Sequence, residues 1–143
     1  MILKREFPYT PGEHEAEKAS NSYLMSLVAF VAGLPFPIIN LIASVVFYFS
    51  NIKGTYFVRW HCMQALLSQF VVFLINNIGF WWTISLIYNK TGVNTYFAVY
   101  ISFVLIFNII EFVATIYSAI ETRKGIHIEW WGYNKLTDRF CKP

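Results

Sequence analysis

The sequence predicts an all-α membrane protein with three transmembrane helices, the first kinked at proline. A short interfacial amphipathic segment opens the second helix, and the C-terminal tail lies on the membrane surface. Three observations predict this. Of 143 residues, 57% are hydrophobic and only 13% charged, against about 25% charged in an ordinary soluble domain. Three apolar runs reach the length needed to cross a bilayer. The 11 Lys and Arg residues are concentrated outside those runs.

The same features narrow the function classes. A formal charge of +3 invites a nucleic-acid reading, but the basic residues flank apolar spans, where anionic headgroups attract them, and no basic stripe or binding module accompanies them. Nucleic acid is therefore not an expected partner. Cys62 and Cys141 are too few for a disulfide framework and read as free thiols on one membrane face. The start, Met1-Ile2-Leu3-Lys4-Arg5-Glu6, is polar and has no early apolar stretch with a cleavage site, so the first apolar run reads as a retained helix.

Residues 1–21 form a polar N-terminal tail. Thr10-Pro11-Gly12-Glu13 offers an N-cap, a proline at the first helical position and a Glu three residues after the Thr. A short surface helix through Glu13, Glu15, Glu17 and Lys18 follows, with Ser20, Asn21 and Ser22 as alternative caps at the membrane entry. Residues 22–122 form the three-span domain.

The first span covers about 23–49 and is interrupted by Gly33-Leu34-Pro35-Phe36-Pro37. Two prolines remove backbone donors and disfavour helix in the residues before them. At 1.5 Å per residue the run is roughly 40 Å long, enough for one tilted crossing and too short for two. One broken span is the reading; a re-entrant pair is the alternative. Asn51-Ile52-Lys53-Gly54-Thr55 is a polar turn. The second span, about 58–88, begins amphipathically with Tyr56, Phe57, Arg59 and Trp60, and enters the bilayer near Met63. Asn89-Lys90-Thr91-Gly92-Val93-Asn94 makes the next turn, and the third span covers about 95–121.

Residues 123–143 form an aromatic tail. Ile126, His127, Ile128 and Glu129 alternate apolar and polar like a short strand. Trp60, Trp130, Trp131 and Tyr133 are expected as anchors at the headgroup level, where amphipathic rings concentrate. Three crossings would put Lys53, Arg59, Arg123, Lys124, Lys135, Arg139 and Lys142 on one side and Lys4, Arg5, Lys18 and Lys90 on the other. That bias places the C-terminus in the cytoplasm, with a bacterial inner membrane as the expected location and an organelle inner envelope as the alternative.

Each span carries a small or polar stripe at helical spacing, the pattern by which membrane helices pack. By depth, Glu111 lies roughly 13 Å inside the third span, level with Asn40 and with Ser68 and Gln69. A buried layer of Asn40, Ser68 or Gln69, Asn108 and Glu111 is expected. An intramembrane carboxylate is costly unless it is paired, protonated or wetted. Glu111 therefore reads either as a hydrogen-bonded clip between helices or partners, which is favoured, or as an ion, proton or substrate contact. His61 lies near the interface, close in depth to Glu121, so a His61–Glu121 contact is expected, with partner binding, metal binding or catalysis as further readings. His14, His61 and His127 lack metal-ligand spacing, and no nucleophile motif, phosphate loop or carboxylate pair appears. No metal, cofactor or enzymatic activity is expected.

The stretch Phe57-Val58-Arg59-Trp60-His61 with Gln64-Ala65-Leu66, together with Ile38-Ile39-Asn40-Leu41-Ile42 and Ser118-Ala119-Ile120-Glu121-Thr122-Arg123-Lys124-Gly125, resembles a known signature. It is similar to the family of the twenty-kilodalton chloroplast inner-envelope translocon protein and its small bacterial relatives, over about Ser22 to Phe140. The resemblance implies a small helical membrane bundle with its motif at the membrane face and, for the plastid branch, a part in preprotein import. Plastid members have four spans where this chain shows three, so the bacterial branch, whose activity is generally unassigned, fits better. The functional expectation is a non-enzymatic subunit or accessory factor of a larger membrane complex, handling protein translocation or membrane-protein insertion. Larger integral membrane proteins and the lipid bilayer are the expected partners, with oligomerisation open. The alternatives are an oligomeric transporter or ion pathway built on Glu111 and Asn108 and, more weakly, a membrane enzyme or lipid-binding protein using His61.

Overall fold

The structure, a computed structural model, describes residues 2–32 and 38–143, the side chain of Ala32 excepted. Seven elements follow in order: β1 (Ile2–Arg5), α1 (Glu13–Ala32), α2 (Ile38–Ser50), α3 (Tyr56–Tyr88), α4 (Thr95–Arg123), β2 (His127–Trp130) and α5 (Asn134–Phe140). Among the described residues the fold is helical apart from one antiparallel ribbon, in which β1 pairs with β2 from Ile2 opposite Trp130 to Arg5 opposite His127.

The helix boundaries follow local chemistry. α1 is capped two residues later than the sequence suggests: Gly12 N–H donates to the Glu15 carboxylate at 3.2 Å, with Glu13 and Glu15 in the first turn where the helix dipole favours them. It then runs unbroken through Ser20–Ser22, so the expected surface helix and the membrane entry are one element. Asn94 caps α4, its side-chain oxygen accepting from Phe97 N–H at 2.8 Å. The other end of α4 closes in a Schellman turn. Gly125 takes φ 78°, while Gly125 N–H donates to Thr122 O at 2.9 Å and Ile126 N–H to Glu121 O at 3.1 Å. That turn delivers the chain directly into β2.

α3 and α4, 33 and 29 residues long, are the two helices among the described residues that are long and apolar enough to cross a bilayer. They extend roughly 50 and 44 Å. They do not serve as the core of a soluble protein: none of the most apolar stretch of α4 is buried, and Val99, Phe103, Ile106, Ile110 and Val113 point outward. Such faces suit hydrocarbon.

The first apolar run departs from expectation. Ser26 Oγ in α1 and Ser44 Oγ in α2 lie 3.2 Å apart, whereas 18 residues along one continuous helix would separate them by roughly 27 Å. α1 and α2 therefore fold back on each other as a helical hairpin, not one kinked span. The proline-containing segment 33–37, where the kink was expected, lies outside the described residues. At 13 residues α2 is short for a crossing. The hairpin packs through small residues: Ala16, Ala19, Ser20, Ser22, Ser26 and Ala29 of α1 are buried, and Ser20 Oγ donates to Ala119 O of α4 at 2.7 Å.

The ribbon makes a second correction. Pairing of β1 with β2 holds both chain ends on one face of the bundle, so the three-crossing arrangement with ends on opposite sides does not apply. The 51–55 turn shares that face, because α2 returns to it. The C-terminal tail is a packed structure: all four β2 residues are buried, as is Thr137 of α5.

Candidate functional site

Where the ribbon meets the helices, a buried polar junction gathers side chains from α1, α3, α5 and both strands. Gln64 is its centre. Its Nε2 donates to Tyr23 Oη at 2.8 Å and to Ile128 O at 3.1 Å, and its Oε1 accepts from Trp130 N–H at 3.0 Å. One α3 side chain thus satisfies the outer edge of β2, the edge that β1 does not pair. His61, one turn earlier on the same face, has Nδ1 2.8 Å from Tyr23 Oη and Nε2 3.2 Å from His127 Nδ1. His127 Nε2 lies 3.3 Å from the Glu129 carboxylate, which also accepts from Arg5 at 3.1 Å and Asn134 at 3.2 Å. Gln64 and His61 are fully buried. Phe7, Phe57 and Trp60 pack around the two imidazoles.

The electrostatics outside the spans follow these contacts. Burial holds the His127 imidazole below its usual range, against the pull of Glu129 and Asp138. The Glu121 carboxylate raises Lys4, and Glu121 also takes Lys124 at 2.9 Å. Burial pushes the Cys141 thiol and the Tyr133 phenol up. The expected His61–Glu121 contact is replaced: His61 turns to Tyr23 and His127, and Glu121 goes to the two lysines.

The polar layer expected deeper in the bundle resolves into separate groups. Glu111 accepts from Ser68 Oγ at 2.8 Å and from Tyr133 Oη at 3.3 Å, so the tail reaches down to it. Asn108 pairs reciprocally with Asn76 at 2.7 and 3.0 Å. Asn40 Oδ1 and Gln69 Oε1 are buried with no hydrogen-bond partner among the described residues. A cleft of about 560 Å³ lies between the hairpin and the long helices, lined by Asn40, Asn76, Asn108, Gly79, Phe80 and Leu105 among others.

Of the side chains expected at the headgroup level, Trp131 stands 74% exposed and Tyr133 is partly buried. Trp60 and Trp130 are interior instead, because each indole N–H has a partner there: Asp138 at 2.8 Å and Ser118 at 2.6 Å respectively. Arg59 donates to Lys142 O at 3.2 Å, tying α3 to the chain end. Tyr23, Glu129, Ser118 and Asp138 carry no local mark of a site in the sequence. The alternation around His127 marked a strand, but nothing local in Ile2-Leu3-Lys4-Arg5 marked its partner. Among the described residues no group of three or more His, Cys, Asp or Glu is placed to hold a metal ion.

No curated protein and no solved structure matches the chain. One family model does, across residues 19–140, from the middle of α1 to the end of α5. It overturns the resemblance to the chloroplast translocon family: the signature in α3 and at the end of α4 falls within a different family's match. The chain belongs to the magnetosome magnetite crystal formation protein family, MamF_MmsF.

Proposed function

We propose that this chain is a non-enzymatic, multi-pass protein of the magnetosome membrane that takes part in magnetite crystal formation as a subunit of a larger membrane assembly. The family match over residues 19–140 carries this reading. A role in protein translocation falls with the resemblance that implied it. The subunit reading is supported by little mass outside the helices and by large outward apolar faces on α3 and α4. An ion pathway at Glu111 has less support, since both carboxylate oxygens are engaged by Ser68 and Tyr133.

The orientation belongs to the same proposal. With both ends and the 51–55 turn on one face, ten of the eleven basic residues lie there and Lys90 alone lies at the other end of the long helices. Lys and Arg accumulate on the cytoplasmic side of membrane proteins. The ribbon face is cytoplasmic in this reading, with α3 and α4 as the two crossings and the α1–α2 hairpin entering from the same side.

The test is replacement of the family member in a magnetosome-forming bacterium by this chain, with crystal size and number read by electron microscopy and the protein located by fractionation. Restoration of crystals, with the protein in purified magnetosome membranes and co-isolating with larger membrane proteins, is the expected result. Unchanged crystals after deletion, or a protein confined to other membranes, overturns it.

A further inference from the structure

The junction contains a hydrogen-bonded chain with one internally consistent direction. Tyr23 Oη accepts from Gln64 Nε2, so its own proton goes to His61 Nδ1 at 2.8 Å. His61 then carries its proton on Nε2 and donates to His127 Nδ1 at 3.2 Å. His127 carries its own on Nε2 and donates to Glu129 Oε1 at 3.3 Å, while Arg5 and Asn134 hold the other carboxylate oxygen. Every donor in this arrangement meets an acceptor, and both imidazoles are neutral.

One added proton breaks it. A second N–H on His127, at Nδ1, would face the N–H of His61 across 3.2 Å. Moving the His61 proton to Nδ1 relieves that conflict but turns it toward Tyr23, whose hydroxyl proton then loses its acceptor. Gln64 offers no replacement there: its Nε2 faces Tyr23 as a donor, and its Oε1 is taken by Trp130 N–H. A buried donor without a partner is costly. The charged and titratable groups around the pair are Tyr23 from α1, Arg5 from β1, Glu129 from β2 and Asp138 from α5. The two carboxylates favour a cation on His127; burial and Arg5 oppose it.

We propose that His61 and His127 form a protonation-sensitive latch: with both imidazoles neutral it holds the β1–β2 ribbon on the helices, and when the pair takes up a proton it releases the ribbon. The latch stands independently of any role in crystal formation. Its sign follows from burial. His127 binds a proton less readily in the closed form than in the open one, so closure is complete above the ordinary histidine range and weakens as pH falls below it. Opening rises about tenfold per pH unit for each proton taken up in that window.

The test is amide hydrogen exchange on the full chain in lipid nanodiscs between pH 5 and 8, with rates corrected for the intrinsic pH dependence of exchange. Protection over residues 2–7 and 126–133 is expected to fall at least about tenfold from pH 7.5 to 5, while residues 70–85 of α3 stay constant. The double variant His61→Gln/His127→Gln is expected to lose this dependence. Constant ribbon protection in the unsubstituted chain, parallel loss in α3, or a retained dependence in the double variant overturns the latch. Nitrogen-15 spectra of the unsubstituted protein decide the matter even if the double variant does not fold. Nε2–H tautomers on both rings at pH 7.5, and a cationic ring appearing as protection falls, are expected. An Nδ1–H tautomer on His61 or His127 at pH 7.5, or opening with neither of these two rings titrating, overturns it.

Discussion

Gln64 illustrates how much one residue can settle. It makes three hydrogen bonds at zero exposure and serves two backbone groups of β2, Ile128 O and Trp130 N–H. Gln64→Ala is expected to destabilise the protein by about 2–4 kcal/mol in an equilibrium denaturation titration in detergent, because buried partners are left unpaired. Tyr133→Phe removes one longer bond to Glu111 and is expected to cost about 1 kcal/mol or less in the same titration. His61 and Gln64 could be picked out from the sequence only as polar residues in the stretch that opens the second span. Their partners were not, since Tyr23 and His127 are brought to them by tertiary packing. Trp60 and Trp130 misled for a related reason: a Trp near a span end suits the headgroup layer equally well until an acceptor elsewhere in the fold claims its N–H.

At the scale of elements, the first apolar run shows where periodicity stops being informative. A stretch of that length with prolines at its centre has the same hydropathy whether it crosses once with a kink or turns back. What decides is the small-residue face on each arm, which lets Ser26 meet Ser44. The double variant Ser26→Cys/Ser44→Cys is expected to form an intramolecular disulfide under mild oxidation, read as a mobility shift reversed by reductant. A single broken span, with these positions roughly 27 Å apart, would give none. The long helices α3 and α4 were legible almost to their ends, because length, apolar content and polar turns all agree there.

For the whole molecule, the proposed number and sense of crossings depend on one ribbon that the sequence did not advertise. Once β1 pairs with β2, the weak charge asymmetry read from three crossings becomes ten basic residues against one. Single cysteines at Lys53, Lys90 and Lys135, in a background lacking Cys62 and Cys141, are expected to separate cleanly. A membrane-impermeant maleimide added to sealed inside-out vesicles labels Lys53→Cys and Lys135→Cys, and leaves Lys90→Cys unmodified until detergent is added. Labelling of Lys53→Cys and Lys135→Cys from opposite sides would contradict the fold.

The ribbon also has a consequence for biosynthesis. β1 is made before the four helices that separate it from β2, so that strand must wait until all four have been made before it can pair. A chain that mis-threads one crossing leaves its two ends on opposite sides of the bilayer, where they cannot meet. The closed ribbon therefore certifies a correctly threaded molecule, and a chain without it exposes unpaired strand edges to the cell's quality control.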